Sequence, residues 1–143
     1  MTEGGAYQRI VSVKAPTTTA ETARRWGIAA TAARERGDNE AALQALRRAA
    51  DADPSLTDNL AVLYLATGRY KEAAAGYERI VARRGLNQDD LATKFLAQAY
   101  VGLGDERKAS EVLLKGGVPP GSMAEELTKL RDRVIERRRE IQR

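Results

Sequence analysis

The chain has 143 residues, 31% of them charged and only 5% aromatic, and a net charge of +4. That length can enclose one sizeable core, and the abundance of Ala, Leu, Arg and Glu with few prolines favours helices over a β-rich fold. Cysteine and histidine are both absent, which excludes disulfides, thiolate catalysis, cysteine or histidine metal sites and the commonest general base.

Acidic residues are interleaved with the basic ones almost everywhere, so the charge predicts a solvated surface. A phosphate-binding footprint calls for segregated positive charge, and nucleic acid is not the expected partner. No apolar run approaches membrane length, and the N-terminus lacks the apolar segment of a signal peptide. The expectation is a soluble chain without a transmembrane segment, with cytoplasm and periplasm both open.

Residues 1–17 read as a flexible lead-in, within which 7–14 (YQRIVSVK) is β-prone without an evident partner strand. Thr18-Thr19-Ala20-Glu21 has the form of a capping box and opens a helix to about Arg36, with Trp26, Ala29, Ala30 and Ala33 along one face. Gly37 ends it, and Asp38 or Asn39 caps a second helix carrying Ala42, Leu43, Leu46 and Ala49 inward. Asp53-Pro54 stops that helix, because the residue before proline is pushed out of helical geometry. Ser55 is the expected cap of a third helix bearing Leu56, Leu60, Leu63 and Tyr64, closed by Gly68.

Its partner, 71–84, presents Ala73, Ala74, Tyr77, Ile80 and Val81 and ends at Gly85, with Arg83 and Arg84 suited to the negative end of the helix dipole. Residues 87–90 (NQDD) cap a fifth helix carrying Leu91, Phe95, Leu96, Ala99 and Tyr100 up to Gly104. A shorter helix over 106–115 buries Ala109, Val112 and Leu113, and Gly116-Gly117 with 118–121 (VPPG) breaks the pattern. Ser122-Met123-Ala124-Glu125 reads as another capping box. It starts a final helix with Met123, Leu127, Leu130 and Val134 at three-four spacing, and that stripe is interrupted by Arg137-Arg138-Arg139 before Ile141.

One phrase recurs through this series. Gly37, Gly68 and Gly104 stand 31 and 36 residues apart, each followed after five residues by an alanine (Ala42, Ala73, Ala109) and after four more by a larger apolar residue (Leu46, Tyr77, Leu113). A period of this length marks a repeat array. Three helix-turn-helix units so built resemble tetratricopeptide repeats, over about 20–115. Trp26 and Asp53-Pro54 in the first unit, Tyr64, Tyr70 and Tyr77 in the second and Tyr100 in the third add to the likeness. The chain departs from that pattern in its spacings, which bracket the family's 34 residues. It also departs in the alanines of its first helix and in Gly116-Gly117 where a closing proline is usual. The resemblance implies an all-α solenoid of three hairpins (18–54, 55–86 and 87–117), with 118–143 supplying a Pro/Gly linker and a seventh, capping helix. One hairpin cannot bury its apolar face alone, so stability comes from stacking on neighbours.

The resemblance also implies a non-catalytic protein-interaction scaffold whose partner lies on a concave face lined by the first helix of each hairpin. Carried over residue by residue, that surface holds Arg24, Thr31 and Arg34, then Asn59, Val62 and Leu65, then Lys94, Phe95, Gln98 and Val101. Apolar contacts between two positive ends suit an extended or helical peptide with an acidic residue and a hydrophobic anchor. Some family members grip a chaperone's C-terminal carboxylate with a lysine–asparagine–asparagine–lysine–arginine set. Here only Asn59 matches, with Gly27, Thr31, Leu91 and Phe95 at the other four places, so that activity is not implied. Asp89-Asp90 and Glu125-Glu126 each lie in the first turn of an expected helix, point about 100° apart, and make poor acid/base partners. No glycine-rich loop follows a strand. Neither catalytic residues nor a cofactor or metal is expected. Two other readings stay open: nucleic-acid or anionic-surface binding through the Arg-rich last helix, and an oligomerising segment of a larger protein that self-associates through that helix. The Ala- and Arg-rich composition points to a bacterial source with a GC-rich genome, where such arrays often serve secretion, pilus or envelope assembly.

Overall fold

The computed structural model describes residues 18–142, which form seven α-helices and, among those residues, no strand. These are α1 (Thr19–Glu35), α2 (Asn39–Ala52), α3 (Thr57–Ala66), α4 (Tyr70–Arg84), α5 (Leu91–Gly102), α6 (Glu106–Lys115) and α7 (Met123–Gln142). The expectations for 1–17, including the β-prone stretch 7–14, lie outside the described residues.

The recurring glycine is the hinge of each hairpin. Gly37, Gly68 and Gly104 have φ of 79°, 76° and 80°, a left-handed geometry that a Cβ would strain. Each turn closes with the same pair of hydrogen bonds. Asp38 N donates to the Ala33 carbonyl at 2.9 Å, Arg69 N to Tyr64 at 2.8 Å and Asp105 N to Tyr100 at 2.9 Å. The glycine N–H groups reach Arg34, Leu65 and Val101 at 2.9, 3.1 and 3.0 Å. This is the Schellman closure, which satisfies carbonyls that the ending helix leaves unpaired. Five residues on, Ala42, Ala73 and Ala109 are completely buried, and Leu46, Tyr77 and Leu113 fill the space one turn further.

Capping differs in places from expectation. Thr18 Oγ1 accepts from Glu21 N at 3.0 Å, Asp38 Oδ1 from Ala41 N at 3.0 Å and Asp105 Oδ1 from Lys108 N at 3.1 Å. Ser55 does not cap α3. The Asp53 carboxylate instead accepts from both the Ser55 amide and hydroxyl, at 3.1 and 2.7 Å, and a 3₁₀ turn over Pro54–Leu56 leads into α3. Likewise a 3₁₀ turn over Pro120–Ser122, with Ser122 N donating to the Pro119 carbonyl at 2.9 Å, precedes α7 where a capping box was expected. In both cases proline at the first position of the turn supplies the helical φ directly.

The chain divides into two compact units, one ending at Leu56 and one beginning at Thr57. In the first, α1 packs on α2, and every buried residue of α1 is an alanine: Ala23, Ala30 and Ala33. Trp26 is only partly buried and carries the Arg48 guanidinium over its ring at 4.8 Å. In the second unit α4 packs between α3 and α5, α5 meets α6, and α7 lies against α5 and α6. A Cβ on Gly76 would stand 2.8 Å from the Ala61 Cβ, so α3 and α4 approach closely there as well. Leu130 and Val134 enter the core with Leu96, Tyr100 and Leu113, while Met123 and Leu127 pack at its edge. The Arg131 guanidinium ties α7 to the start of α6, donating from Nε to Glu106 at 2.9 and 3.0 Å.

Candidate functional site

Within the second unit a groove of about 610 Å³ opens between α3 and α5, with α4 as its floor. Its floor is formed by Tyr77 and Ile80 of α4, both buried between the two flanking helices. Asp58 and Val62 lie one turn apart on α3, and Leu91 and Phe95 one turn apart on α5. Arg84, Asn87, Asp89 and Asp90 line the end where α4 passes into α5. Val62 is 42% exposed and Leu91 61%, so two aliphatic side chains stand in water beside a pocket. Phe95 is half-buried and rests on Tyr77 with ring centroids 5.6 Å apart at 51°. Such tilted pairs are favourable beyond their buried area.

The loop that forms this end is held firmly. Gly85 ends α4 with φ 83°, Asn87 N donates to Thr93 Oγ1 at 2.9 Å, and Asp89 N donates to Asn87 Oδ1 at 2.9 Å. Asp90 accepts from Ala92 N at 3.1 Å, starting α5, and Gln88 N donates to the Gly116 carbonyl at 2.7 Å. Arg83 pairs with Asp58, and Arg84 with Asp90 at 3.0 Å. Burial pushes the Tyr77 phenol up to about 12, with Arg137 pulling weakly the other way. Its hydroxyl has no hydrogen-bond partner among the described residues. Tyr77 therefore serves as a neutral aromatic floor.

The residues expected on the binding face are not all at the surface. Val62 and Phe95 line the groove; Asn59 and Lys94 are exposed on the same helices but do not line it. Leu65, Gln98 and Val101 are buried, 3%, 1% and 8% exposed, which corrects the expectation that they lie on the open side. Leu65 and Val101 belong to the core cluster that also holds Leu130 and Val134 of α7. In the first unit Arg24 and Thr31 line a separate groove on α1 with Ile28, Glu35, Asp53 and Leu56, while Arg34 is exposed outside it. The Thr31 hydroxyl is engaged, donating to the Gly27 carbonyl at 3.1 Å.

The groove residues absent from the expected set are Asp58, Tyr77, Ile80, Arg84, Asn87, Asp89, Asp90, Leu91 and Ala92. Leu91 is the most exposed of the apolar ones. Its four-residue spacing from Phe95 was the available signal. Among the described residues no group of three or more acidic, His or Cys side chains could hold a metal ion, and no helix is long and apolar enough to cross a membrane.

Residues 23–56 match the family model described as tetratricopeptide repeat. The match begins on α1 and runs through α2 and the Pro54–Leu56 turn, so the first hairpin carries the family's pattern. The chain has no match among curated proteins.

Proposed function

We propose that this chain, whose residues 23–56 form a tetratricopeptide repeat in an all-α helical-repeat fold, is a non-catalytic scaffold that binds a segment of a partner protein in the groove between α3 and α5. Tetratricopeptide repeats are protein–protein interaction modules, and the family match supports that general role. The observation that carries the groove as the binding site is the pair of exposed aliphatic residues, Val62 and Leu91, flanking an aromatic floor in a groove with charged ends. Apolar anchors beside a few convergent polar groups are the usual make-up of a recognition site. A partner within a bacterial assembly, secretion or envelope complex is part of this proposal.

The test is affinity capture from a lysate of the source organism, with the wild-type chain, Val62→Ser/Leu91→Ser, and Arg34→Ala as an off-groove control. A partner lost with the groove variant and kept with the control is the expected result. Equal retention by all three refutes the groove as the site.

A further inference from the structure

The groove contradicts the charge of the chain that contains it. The protein as a whole is basic, at +4, yet the ionised groups lining this groove are three carboxylates, Asp58, Asp89 and Asp90, against one guanidinium, Arg84. The two ion pairs there do not reverse that balance. The side chains of Arg83 and Arg84 are 60% and 58% exposed, while their partners Asp58 and Asp90 are 33% and 17% exposed. The carboxylates thus sit against the protein and the arginines reach over them from solvent. Asp89 has no ion pair among the described residues; its amide is tied to Asn87 and its carboxylate is left at the mouth beside Leu91.

Resting on the reading of this groove as a peptide site, we infer that its occupant is a cationic amphipathic segment: apolar side chains one helical turn apart, flanked by lysine or arginine. The apolar side chains meet Val62, Leu91 and Phe95. The cationic one is received by Asp89 and, on displacing an exposed arginine, by Asp58. Exposed surface ion pairs are weak enough to be exchanged in this way. An acidic segment fares worse, because Arg84 is already neutralised by Asp90 and the remaining lining charge repels it. This reverses the acidic ligand expected from the lysines and arginines of the helix sequences, since Arg24, Arg34 and Lys94 do not line the groove. Like-charge juxtaposition of this kind excludes wrong partners more than it strengthens the right one.

The probe is a phage library of random dodecapeptides selected on the full chain. Retained peptides are then re-measured by fluorescence anisotropy against three proteins: wild type, Val62→Ser/Leu91→Ser, and Asp58→Asn/Asp89→Asn. Circular dichroism checks that the variants, all at surface positions, keep their fold. The expected result is a set of peptides that need Val62 and Leu91, are enriched in Lys and Arg, and bind the Asn variant about 5–10-fold more weakly, with affinity that falls as salt is raised. Peptides that need Val62 and Leu91 but are neutral or acidic, or bind the Asn variant equally well, overturn the charge inference and leave the groove as a peptide site. Retained peptides indifferent to Val62 and Leu91 overturn both. A wild-type dimer at assay concentration that Leu91→Ser dissolves makes a second copy the occupant and likewise overturns the inference.

Discussion

Gly102→Ala is a substitution on which helix propensity and packing disagree in sign. Alanine is favoured over glycine in a helix interior by up to about 1 kcal/mol, less at the last residue of α5. A Cβ built at Gly102, however, falls 2.5 Å from Cδ1 and Cγ of Tyr70 and 2.6 Å from its Cδ2. Carbon atoms rest at about 3.5–4.0 Å, so the ring has to retreat by about 1 Å. Tyr70 is 8% exposed and sits in the core with Tyr77 and Leu96, so the retreat disturbs neighbours. Overpacking of this kind costs about 1–3 kcal/mol, and the net expectation is destabilisation by about 1–2 kcal/mol. At about 4–8 °C per kcal/mol for a unit of this size, Tm falls by roughly 5–15 °C. Thermal melts followed by far-ultraviolet circular dichroism measure it, with two accompanying variants. Gly27→Ala, in mid-helix with nothing within 4 Å of its Cβ, should gain about 0.5–1 kcal/mol. Tyr70→Leu removes the obstructing ring, so the alanine at position 102 should cost little in that background. An unchanged or raised Tm for Gly102→Ala alone, or an equal cost with and without the Tyr70 ring, refutes the reasoning.

Three further outcomes follow from the same geometry. Gly104→Ala should destabilise by about 1 kcal/mol in urea titrations, purely from its φ of 80°, because nothing stands within 4 Å of its Cβ. Leu130→Ala, at a side chain 6% exposed in the core, should lower stability by about 2–5 kcal/mol. Tyr77→Phe removes a buried, unpartnered hydroxyl and should hold or raise stability by up to about 1 kcal/mol at neutral pH. Because the Tyr77 phenol is raised to about 12 from an ordinary value of 10.0, the folded state keeps a proton that the unfolded chain loses between those values. Wild-type stability should therefore fall over that window by up to about 2 kcal/mol more than that of Tyr77→Phe, a difference that urea titrations at pH 9.5 and 11.5 resolve.

The hinges were legible in the sequence because each depends on one residue type. A left-handed turn calls for glycine, and the crossing behind it for a residue as small as alanine, so spacing alone located Gly37, Gly68, Gly104 and the buried Ala42, Ala73 and Ala109. The groove was not legible, and α5 shows why. It touches α4, α6 and α7, so Leu96, Ala97, Gln98, Ala99, Tyr100 and Val101 are buried in an unbroken run. A helix buried nearly all round has no apolar stripe whose opposite marks the open side. Gln98, read as an exposed polar contact, is 1% exposed with its side-chain nitrogen unpartnered among the described residues, and Leu91, grouped with the helix's other apolar residues, is 61% exposed. Similarly, the spacing of Leu130 and Val134 places them on one face of α7 but does not say that the core they join includes Leu65 and Val101.

That shared core limits what the groove can hold. Leu91 and Phe95 lie in the first half of α5 and Val62 at the middle of α3, on the groove, whereas Leu65 and Val101 lie toward the ends of the same helices and are buried in the cluster containing Leu130 and Val134. A ligand running the full length of the two helices has to displace α7. Burying Leu130 and Val134 contributes about 1.5–3 kcal/mol each, and their exposure would weaken binding by roughly two to four orders of magnitude unless the ligand replaced them in kind. Two cationic groups of α7 are tied to other helices of the unit: Arg131 pairs with Glu106 of α6, and Arg138 donates to the Gly102 carbonyl of α5 at 3.5 Å. These two contacts favour a helix that stays docked over one freed to meet an anionic surface. A partner segment of two to three helical turns should therefore bind as tightly as the same segment extended by another two turns in the direction of Leu65 and Val101. Anisotropy titrations of nested peptides measure this. Affinity that climbs steadily with such extension, together with loss of amide-exchange protection in α7, would show that α7 yields its place to the ligand and refute the limit.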